Sequence, residues 1–225
     1  MRRRIYLMRH GAVSYFDEDG RPVNPDQVGL NAEGRAQAEA ARALLRDVRF
    51  DRVLASDLPR TVETARIVAP GAAVESWPEL RELRGDRLSG IPPERLEHEF
   101  VHAFRGIVPL DKRFLGGETI GQLFERVLPA VERLLADPGW DTVLAVLHGG
   151  VNRAILSFAL TGERLFLGHF EQAPGCLNIL DVGEDWIVRA VNVAPRDLLH
   201  LSTRLTTMEG YWEELRPYRD RLADA

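Results

Sequence analysis

Short apolar runs alternate along the chain with stretches whose apolar residues recur at helical spacing. The clearest run, 143–147, has five apolar residues without a polar break, a pattern typical of a strand buried on both faces of a parallel sheet. Strands are predicted near 4–9, 52–55, 72–75, 142–147, 176–182 and 186–193. Strand–helix alternation of this kind predicts a single-domain α/β fold, with an open, mostly parallel sheet and helices on both faces.

The polar residues before the helical stretches indicate where helices begin. Helical spacing predicts helices at 32–46, 119–136 and 151–160. Asn31 is the expected N-cap of the first one, because its side chain can accept a hydrogen bond from the first turn. Ser56 or Asp57 is expected to cap a further helix after the second strand, with Pro59 in the first turn of that helix.

The stretch 84–117 does not follow the alternation. It holds Pro92-Pro93, a helical piece at 94–105, then Pro109 and Gly116-Gly117. We predict a lid insertion over the sheet edge, within a domain that spans 1–205.

The tail, 206–225, places large side chains at helical spacing: Tyr211, Leu215, Tyr218 and Leu222. Amphipathic helices usually pack on their own chain. We therefore expect a helix docked on the domain, and a homodimer contact is the alternative.

The composition limits the class of protein. The chain has 225 residues, of which 45% are hydrophobic and 28% charged, and these values exclude collagen-like, disordered and coiled-coil chains. No apolar run approaches the roughly 18 residues of a membrane span, and the apolar run at 5–8 is shorter than the about 7–15 residues of a secretory signal. The single cysteine, Cys176, excludes a disulfide framework and is expected to be structural. A cytoplasmic protein is the expectation.

The charge count predicts no nucleic-acid partner. There are 29 basic and 34 acidic residues, a net charge of −5, and no block of Lys or Arg is long enough for a nucleic-acid footprint.

Two histidine–glycine pairs stand at the ends of predicted strands, in Arg9-His10-Gly11 and His148-Gly149-Gly150. Ligands of open α/β sheets collect outside the carboxyl ends of strands, so we expect both histidines at one crevice. A neutral imidazole nitrogen can act as a nucleophile. Arg9, and Arg60 after the second strand, indicate a phosphoryl group as its target, because guanidinium groups bind phosphoryl oxygens bidentately. The alternative is that the histidines are ordinary core or turn residues.

Six segments, in order between about residues 4 and 193, carry a family resemblance: 9–11, 30–38, 56–65, 80–83, 116–119 with Arg126, and 148–150. In these segments the chain resembles the histidine phosphatase superfamily, the phosphoglycerate-mutase-like group.

The resemblance implies a metal-independent phosphatase, without a cofactor, that hydrolyses a small phosphorylated metabolite through a phosphohistidine at His10. Arg9, Arg60 and His148, with Gly149 beside them, would bind the phosphoryl oxygens. Glu82 would protonate the leaving alkoxide and then activate water. A phosphoglycerate-type phosphomutase is the nearest alternative, and a catalytically inactive protein that binds a phosphorylated ligand is the alternative of another class.

The chain departs from the family's common pattern after Gly11. Many members have Glu and, four positions later, Asn; here those positions hold Ala12 and Phe16. The Asn commonly contacts the phosphate, so that donor is either missing or supplied by Ser14 or another residue. Arg81 and Arg84 are further candidates for substrate binding, through a second acidic group.

A competing motif lies in the lid. His98-Glu99-Phe100-Val101-His102 is an H-E-x-x-H sequence, which on a helix places two imidazoles on one face with a glutamate as general base, as in zinc proteases. Glu118 is a candidate third ligand. No downstream histidine has the spacing of the longer metzincin pattern, so we rank the zinc metalloprotease last.

Overall fold

A six-stranded sheet organises the molecule. The computed structural model describes residues 1–19 and 21–223, without the side chains of Ser89, Tyr218 and 220–223. Its strands are β1 (Arg3–Arg9), β2 (Arg52–Ala55), β3 (Val74–Ser76), β4 (Ile107–Val108), β5 (Thr142–Leu147), β6 (Phe166–Leu167), β7 (Leu177–Val182) and β8 (Trp186–Val193). The sheet runs β3-β2-β5-β1-β7-β8. The first four of these strands are parallel, and β7 runs antiparallel to both of its neighbours, β1 and β8. This confirms the predicted mostly parallel α/β sheet.

Helices cover both faces because the central strands are apolar on both. The helices are α1 (Ala32–Leu44), α2 (Pro59–Val68), α3 (Pro93–Val101), α4 (Ile120–Ala136), α5 (Gly149–Thr161) and α6 (Thr207–Ala223). Side chains alternate along β5: Ala145 belongs to the core under α4 and α5, and Val146 to the core under α1 and α2. The run without a polar break thus reflects a strand with two buried faces.

Two of the predicted helix starts are confirmed and one is wrong. Asn31 caps α1 and accepts from Gly34 N, and Pro59 stands in the first turn of α2. The N-cap of α2, however, is Leu58, without a side-chain cap. Ser56 and Asp57 are unavailable as caps because they bind other side chains, as described below.

Several boundaries differ from the predictions. The third strand is 74–76 rather than 72–75, the first helix ends at 44, and α5 starts two residues early, at Gly149. In the lid, α3 covers 93–101 rather than 94–105, and β4 pairs with β6 in a small second sheet that the pattern did not predict. Strands of two residues are too short to show a period.

Helix α6 packs on the lid helix α3 rather than on the main sheet. Met208, Trp212 and Leu215 form one buried cluster with Leu96 and Phe100 of α3. The predicted contacts of Tyr218 and Leu222 concern side chains outside the described residues. No helix in the described ranges is long and apolar enough to cross a membrane.

Candidate active site

The two predicted histidines meet where β1 and β5 end. These strands are parallel neighbours, with Arg9 opposite Leu147, so the next residue of each chain segment is a histidine at the same edge of the sheet. The ring centroids of His10 and His148 lie 5.1 Å apart. Gly11 packs against Gly34 so closely that a Cβ on either would collide with backbone, and this contact fixes the turn after His10.

One ring nitrogen of His10, Nε2, carries a lone pair. Its Nδ1 lies 2.7 Å from the carbonyl oxygen of Gly11; because a carbonyl only accepts, Nδ1 carries the hydrogen and Nε2 the lone pair. Arg60 Nε donates to this Nε2 at 3.2 Å. Burial and the charges of Arg60 and Arg9 hold the pKa of His10 well below its usual value. His10 is therefore a neutral, oriented imidazole, as a nitrogen nucleophile must be.

His148 is held from its other nitrogen by a chain of hydroxyls. Thr61 donates to the Leu58 carbonyl at 2.8 Å and accepts from Ser56 at 2.9 Å. The Ser56 oxygen, its own hydrogen thus committed, accepts from His148 Nε2 at 2.8 Å. Burial, with Arg60 and His10 nearby, keeps the pKa of His148 well below its usual value. Nδ1 therefore carries the lone pair, and this buried atom has no partner among the described residues.

Arg9 and Arg60 are both buried beside the histidines. Arg9 donates from Nη1 to the Gln172 carbonyl at 2.5 Å and to Thr207 Oγ1 at 3.0 Å, and from Nη2 to Tyr211 at 2.9 Å. Its Nε is buried without a protein partner in the described chain. Neither guanidinium group pairs with a carboxylate of the described residues, and two such buried cations suit an anion.

Glu82 lies at the N-terminus of α5. Gly150 N donates to both of its carboxylate oxygens at 3.1 Å, and a Cβ on Gly150 would stand 2.6 Å from Oε1. Glycine at 150 therefore allows the carboxylate to approach the helix. Arg126 holds the segment by donating to the carbonyls of Glu79, Arg81 and Glu82, and it pairs with Glu118 at 2.6 Å.

A cavity of about 1070 Å³ is lined by Arg9, Arg60, Glu82 and Gly149, whereas the buried His10 and His148 are not part of its lining. Its walls come from the loop after β1, the lid and the start of α6. Its lining includes eight arginines and four acidic residues, in a chain with a net charge of −5. The apolar lining includes six aromatic side chains: Tyr15, Phe16, Phe100, Phe104, Phe114 and Tyr211. The cavity suits a small anionic ligand with an apolar part.

Comparison with known proteins agrees with this geometry. A family model described as the histidine phosphatase superfamily (branch 1) matches residues 5–193. The chain belongs to this superfamily.

Several members are similar along most of their length. An adenosylcobalamin/alpha-ribazole phosphatase of Salmonella typhimurium is 30% identical, over 80% of this chain and 91% of the relative. The structure of the alpha-ribazole phosphatase from Shigella flexneri has a TM-score of 0.67 at 27% identity and covers 84% of this chain and 96% of its own. A mycobacterial glucosyl-3-phosphoglycerate phosphatase has the same TM-score at 25% identity, covering 85% and 99%.

The finer site predictions for this histidine phosphatase superfamily member stay predictions, and the structure shows where their residues lie. Ser14 is exposed, lies outside the cavity lining, and its oxygen is 3.5 Å from Asn31 Nδ2. Arg81 lines the cavity but pairs with Asp57 at 2.5 Å. Arg84 lines the cavity mouth.

Cys176 is fully buried, and burial raises the pKa of its thiol to about 12. An un-ionised, inaccessible thiol fits the predicted structural role.

The H-E-x-x-H motif does not form a ligand set. The rings of His98, on α3, and His102, its C-cap, pack edge-on with centroids 4.9 Å apart. Glu99, however, pairs with Lys112 at 2.5 Å and with Arg95 at 2.7 Å. Glu118 pairs with Arg126 at the catalytic cavity instead. Within the described ranges no three His, Cys, Asp or Glu side chains come together as metal ligands.

Sequence reasoning missed residues that reach the same cavity. Arg153 is buried on α5, pairs with Glu171 at 3.2 Å and lines the cavity. Its position four residues after Gly149 is a signal that the sequence offered, since such residues share a helix face. Thr207 and Tyr211, which contact Arg9, had no such signal because they lie almost 200 residues away from it.

Proposed function

We propose that this protein hydrolyses phosphomonoesters of a small metabolite, with His10 as nucleophile. One observation carries the proposal: His10 is a buried neutral imidazole whose lone pair on Nε2 faces the Arg60 guanidinium, with Arg9 buried nearby, and neither arginine pairs with a carboxylate among the described residues. A lone pair beside fixed positive charge suits attack on phosphorus, because the phosphoryl oxygens provide the missing anion.

The first step would transfer the phosphoryl group to the enzyme. His10 Nε2 forms a bond to phosphorus as the ester P–O bond breaks, and the leaving oxygen takes a proton from the Glu82 carboxyl group. In the second step, water attacks phosphorus and gives its proton to Glu82 as the P–N bond breaks. Inorganic phosphate leaves, and His10 and Glu82 return to their starting states.

The fixed groups around His10 would stabilise the charge that spreads over the phosphoryl oxygens. Arg9 offers its unpaired Nε, and Gly149 supplies the amino end of α5, which favours an anion. His148 Nδ1 would take the proton of an ester bound as its monoanion and donate it in a hydrogen bond to the same phosphoryl oxygen, while Ser56 accepts from Nε2. Donors fixed in a buried site need little reorganisation during reaction.

Turnover of p-nitrophenyl phosphate tests the proposal. We expect His10→Ala to lose essentially all activity, and the wild type to form an acid-labile phosphoenzyme that the variant lacks. His98→Ala is the matched control, because this exposed lid histidine lies outside the cavity lining. An active His10→Ala variant would refute the phosphohistidine.

The same assay separates the alternatives. Activity abolished by EDTA and by His98→Ala would favour the zinc hypothesis. Phosphate-ester binding without turnover on any ester would favour a binding protein. Transfer of the phosphoryl group to a second hydroxyl of the substrate, without release of inorganic phosphate, would favour the mutase.

A further inference from the structure

The C-terminal helix reaches into the phosphate site. Helix α6 lies beyond residue 193, where the family match ends, yet its first turns line the cavity with Thr207, Met208 and Tyr211. Two of these residues contact Arg9: Nη1 donates to Thr207 Oγ1 at 3.0 Å, and Nη2 donates to the Tyr211 hydroxyl at 2.9 Å. Part of the site is therefore built by a segment outside the matched region.

The hydroxyl groups of Thr207 and Tyr211, which both accept from Arg9, differ in where they donate their own hydrogens. A guanidinium group only donates, so both oxygens are acceptors toward Arg9. The Thr207 hydroxyl donates a hydrogen bond to Glu171 Oε1 at 2.6 Å. The Tyr211 hydrogen meets no protein acceptor in the described part of the chain. Tyr211 therefore holds an uncommitted donor beside a buried arginine.

This donor lies at the cavity, on the same guanidinium group as a second donor that has no partner among the described residues. The Tyr211 ring packs edge-on against Tyr15 at 5.1 Å, and both rings line the cavity. Arg9 Nε, the other uncommitted donor, faces Gly149, where a Cβ would stand 3.6 Å from it. One guanidinium group thus links the Tyr211 hydroxyl to the amino end of α5.

We propose that Tyr211 is a phosphoryl-binding residue, which donates its hydroxyl hydrogen to an oxygen of the transferred group while it accepts from Arg9. The inference rests on the proposed function, since it assigns a further contact in the same site. It also bears on the local sequence after His10, where Phe16 has no hydrogen-bonding group and Ser14 is exposed outside the cavity lining.

Binding of inorganic phosphate and of orthovanadate to the full chain, measured by calorimetry, tests the inference without turnover. Tyr211→Phe keeps the ring against Tyr15 and removes only the hydroxyl. We expect it to weaken phosphate binding at least tenfold, and vanadate binding by more, since a hydrogen bond to a charged group is lost. We expect Thr207→Val to weaken both anions less than Tyr211→Phe does, because Arg9 Nη1 keeps the Gln172 carbonyl and no donor to the anion is removed.

Tyr6→Phe is the matched control for loss of a tyrosine hydroxyl. Tyr6 packs on Phe50, away from the cavity, and we expect wild-type binding from this variant. Equal thermal midpoints for the two tyrosine variants would show that the fold is kept. If Tyr211→Phe has a lower thermal midpoint, its ratio of vanadate to phosphate affinity separates two explanations. Undocking of α6 would weaken the binding of both anions alike, whereas loss of the hydroxyl donor would weaken vanadate binding more.

Two results would overturn the inference: phosphate binding by Tyr211→Phe within threefold of wild type, or equal losses in Tyr211→Phe and Thr207→Val. Equal losses would mean that Tyr211 only positions Arg9. A wild type that binds neither anion would also overturn it. A failure of the proposed function can be distinguished from a failure of this inference. An active His10→Ala variant would refute the proposed function, whereas the anion affinities of the Tyr211 and Thr207 variants would still test the role of Tyr211.

Discussion

A single methyl group at Gly150 tests the role proposed for Glu82. A Cβ there would lie 2.6 Å from Glu82 Oε1 and 2.8 Å from Leu83 Cδ1, whereas ordinary contact begins near 3.4 Å. In Gly150→Ala the carboxylate must therefore retreat by about 0.8 Å. Its two hydrogen bonds from Gly150 N, each 3.1 Å long, would lengthen with it.

The displacement predicts a loss that depends on the leaving group. Misplacing a catalytic group by about 1 Å can cost roughly 10²-fold in rate, or about 2.7 kcal/mol of barrier. For an alkyl ester such as glycerol 2-phosphate, we expect Gly150→Ala to lower kcat/KM by about 30- to 100-fold. For p-nitrophenyl phosphate we expect less than about a fivefold loss, since nitrophenolate leaves with little help from an acid.

The assay is kcat/KM for both esters, because this ratio reports the phosphoryl transfer to His10 and not the later hydrolysis. Gly210→Ala is the control: nothing lies within 4 Å of its built Cβ in α6. We expect it to keep both rates and to gain about 0.5–1 kcal/mol of stability. Equal losses on both esters in Gly150→Ala would refute the acid role of Glu82, and unchanged rates would refute the steric argument.

Three further predictions concern the buried residues. Because burial lowers the pKa of both His10 and His148, protons bind mainly to the unfolded chain below about pH 6.5. The free energy of unfolding should therefore decrease as the pH is lowered, by up to about 2.7 kcal/mol per pH unit. His10→Gln should halve this slope in urea titrations at several pH values. Ser56→Ala removes the acceptor of His148 Nε2 and should cost about 1–3 kcal/mol in urea unfolding; no loss would argue against the hydroxyl chain. Trp212→Ala should cost about 3–5 kcal/mol of packing against Phe100, seen as faster proteolysis before α6; wild-type resistance would contradict that docking.

The main sheet could be predicted because its signal is local. Runs such as 143–147 are apolar at every position, and this pattern arises only where both faces are covered. Strand ends then locate the chemistry: His10 and His148 follow parallel neighbours, so a rule about carboxyl ends brings them together before any distance is known. A prediction that these two strands are neighbours is therefore also a prediction that the two histidines lie together.

The capping rule failed at α2 because tertiary contacts claimed the capping side chains. Ser56 binds His148 and Thr61, and Asp57 binds Arg81. Propensity describes what a residue does when nothing else competes for it. Ser56 and Asp57 do not cap the helix because their side chains bind groups of the site instead. Local rules are expected to fail at functional sites for this reason.

The contribution of α6 could not be predicted, for a different reason. Its residues have ordinary helical spacing, and nothing near Thr207 or Tyr211 in the sequence resembles a phosphate-binding motif. Their importance comes from Arg9, whose buried guanidinium group has more donors than the phosphate and the nearby carbonyls use. An arginine buried at the end of β1 must find acceptors somewhere, because unpaired buried donors are costly. That requirement follows from the burial of Arg9, which only the fold reveals, and so the sequence could not show that a distant segment, α6, supplies the acceptors.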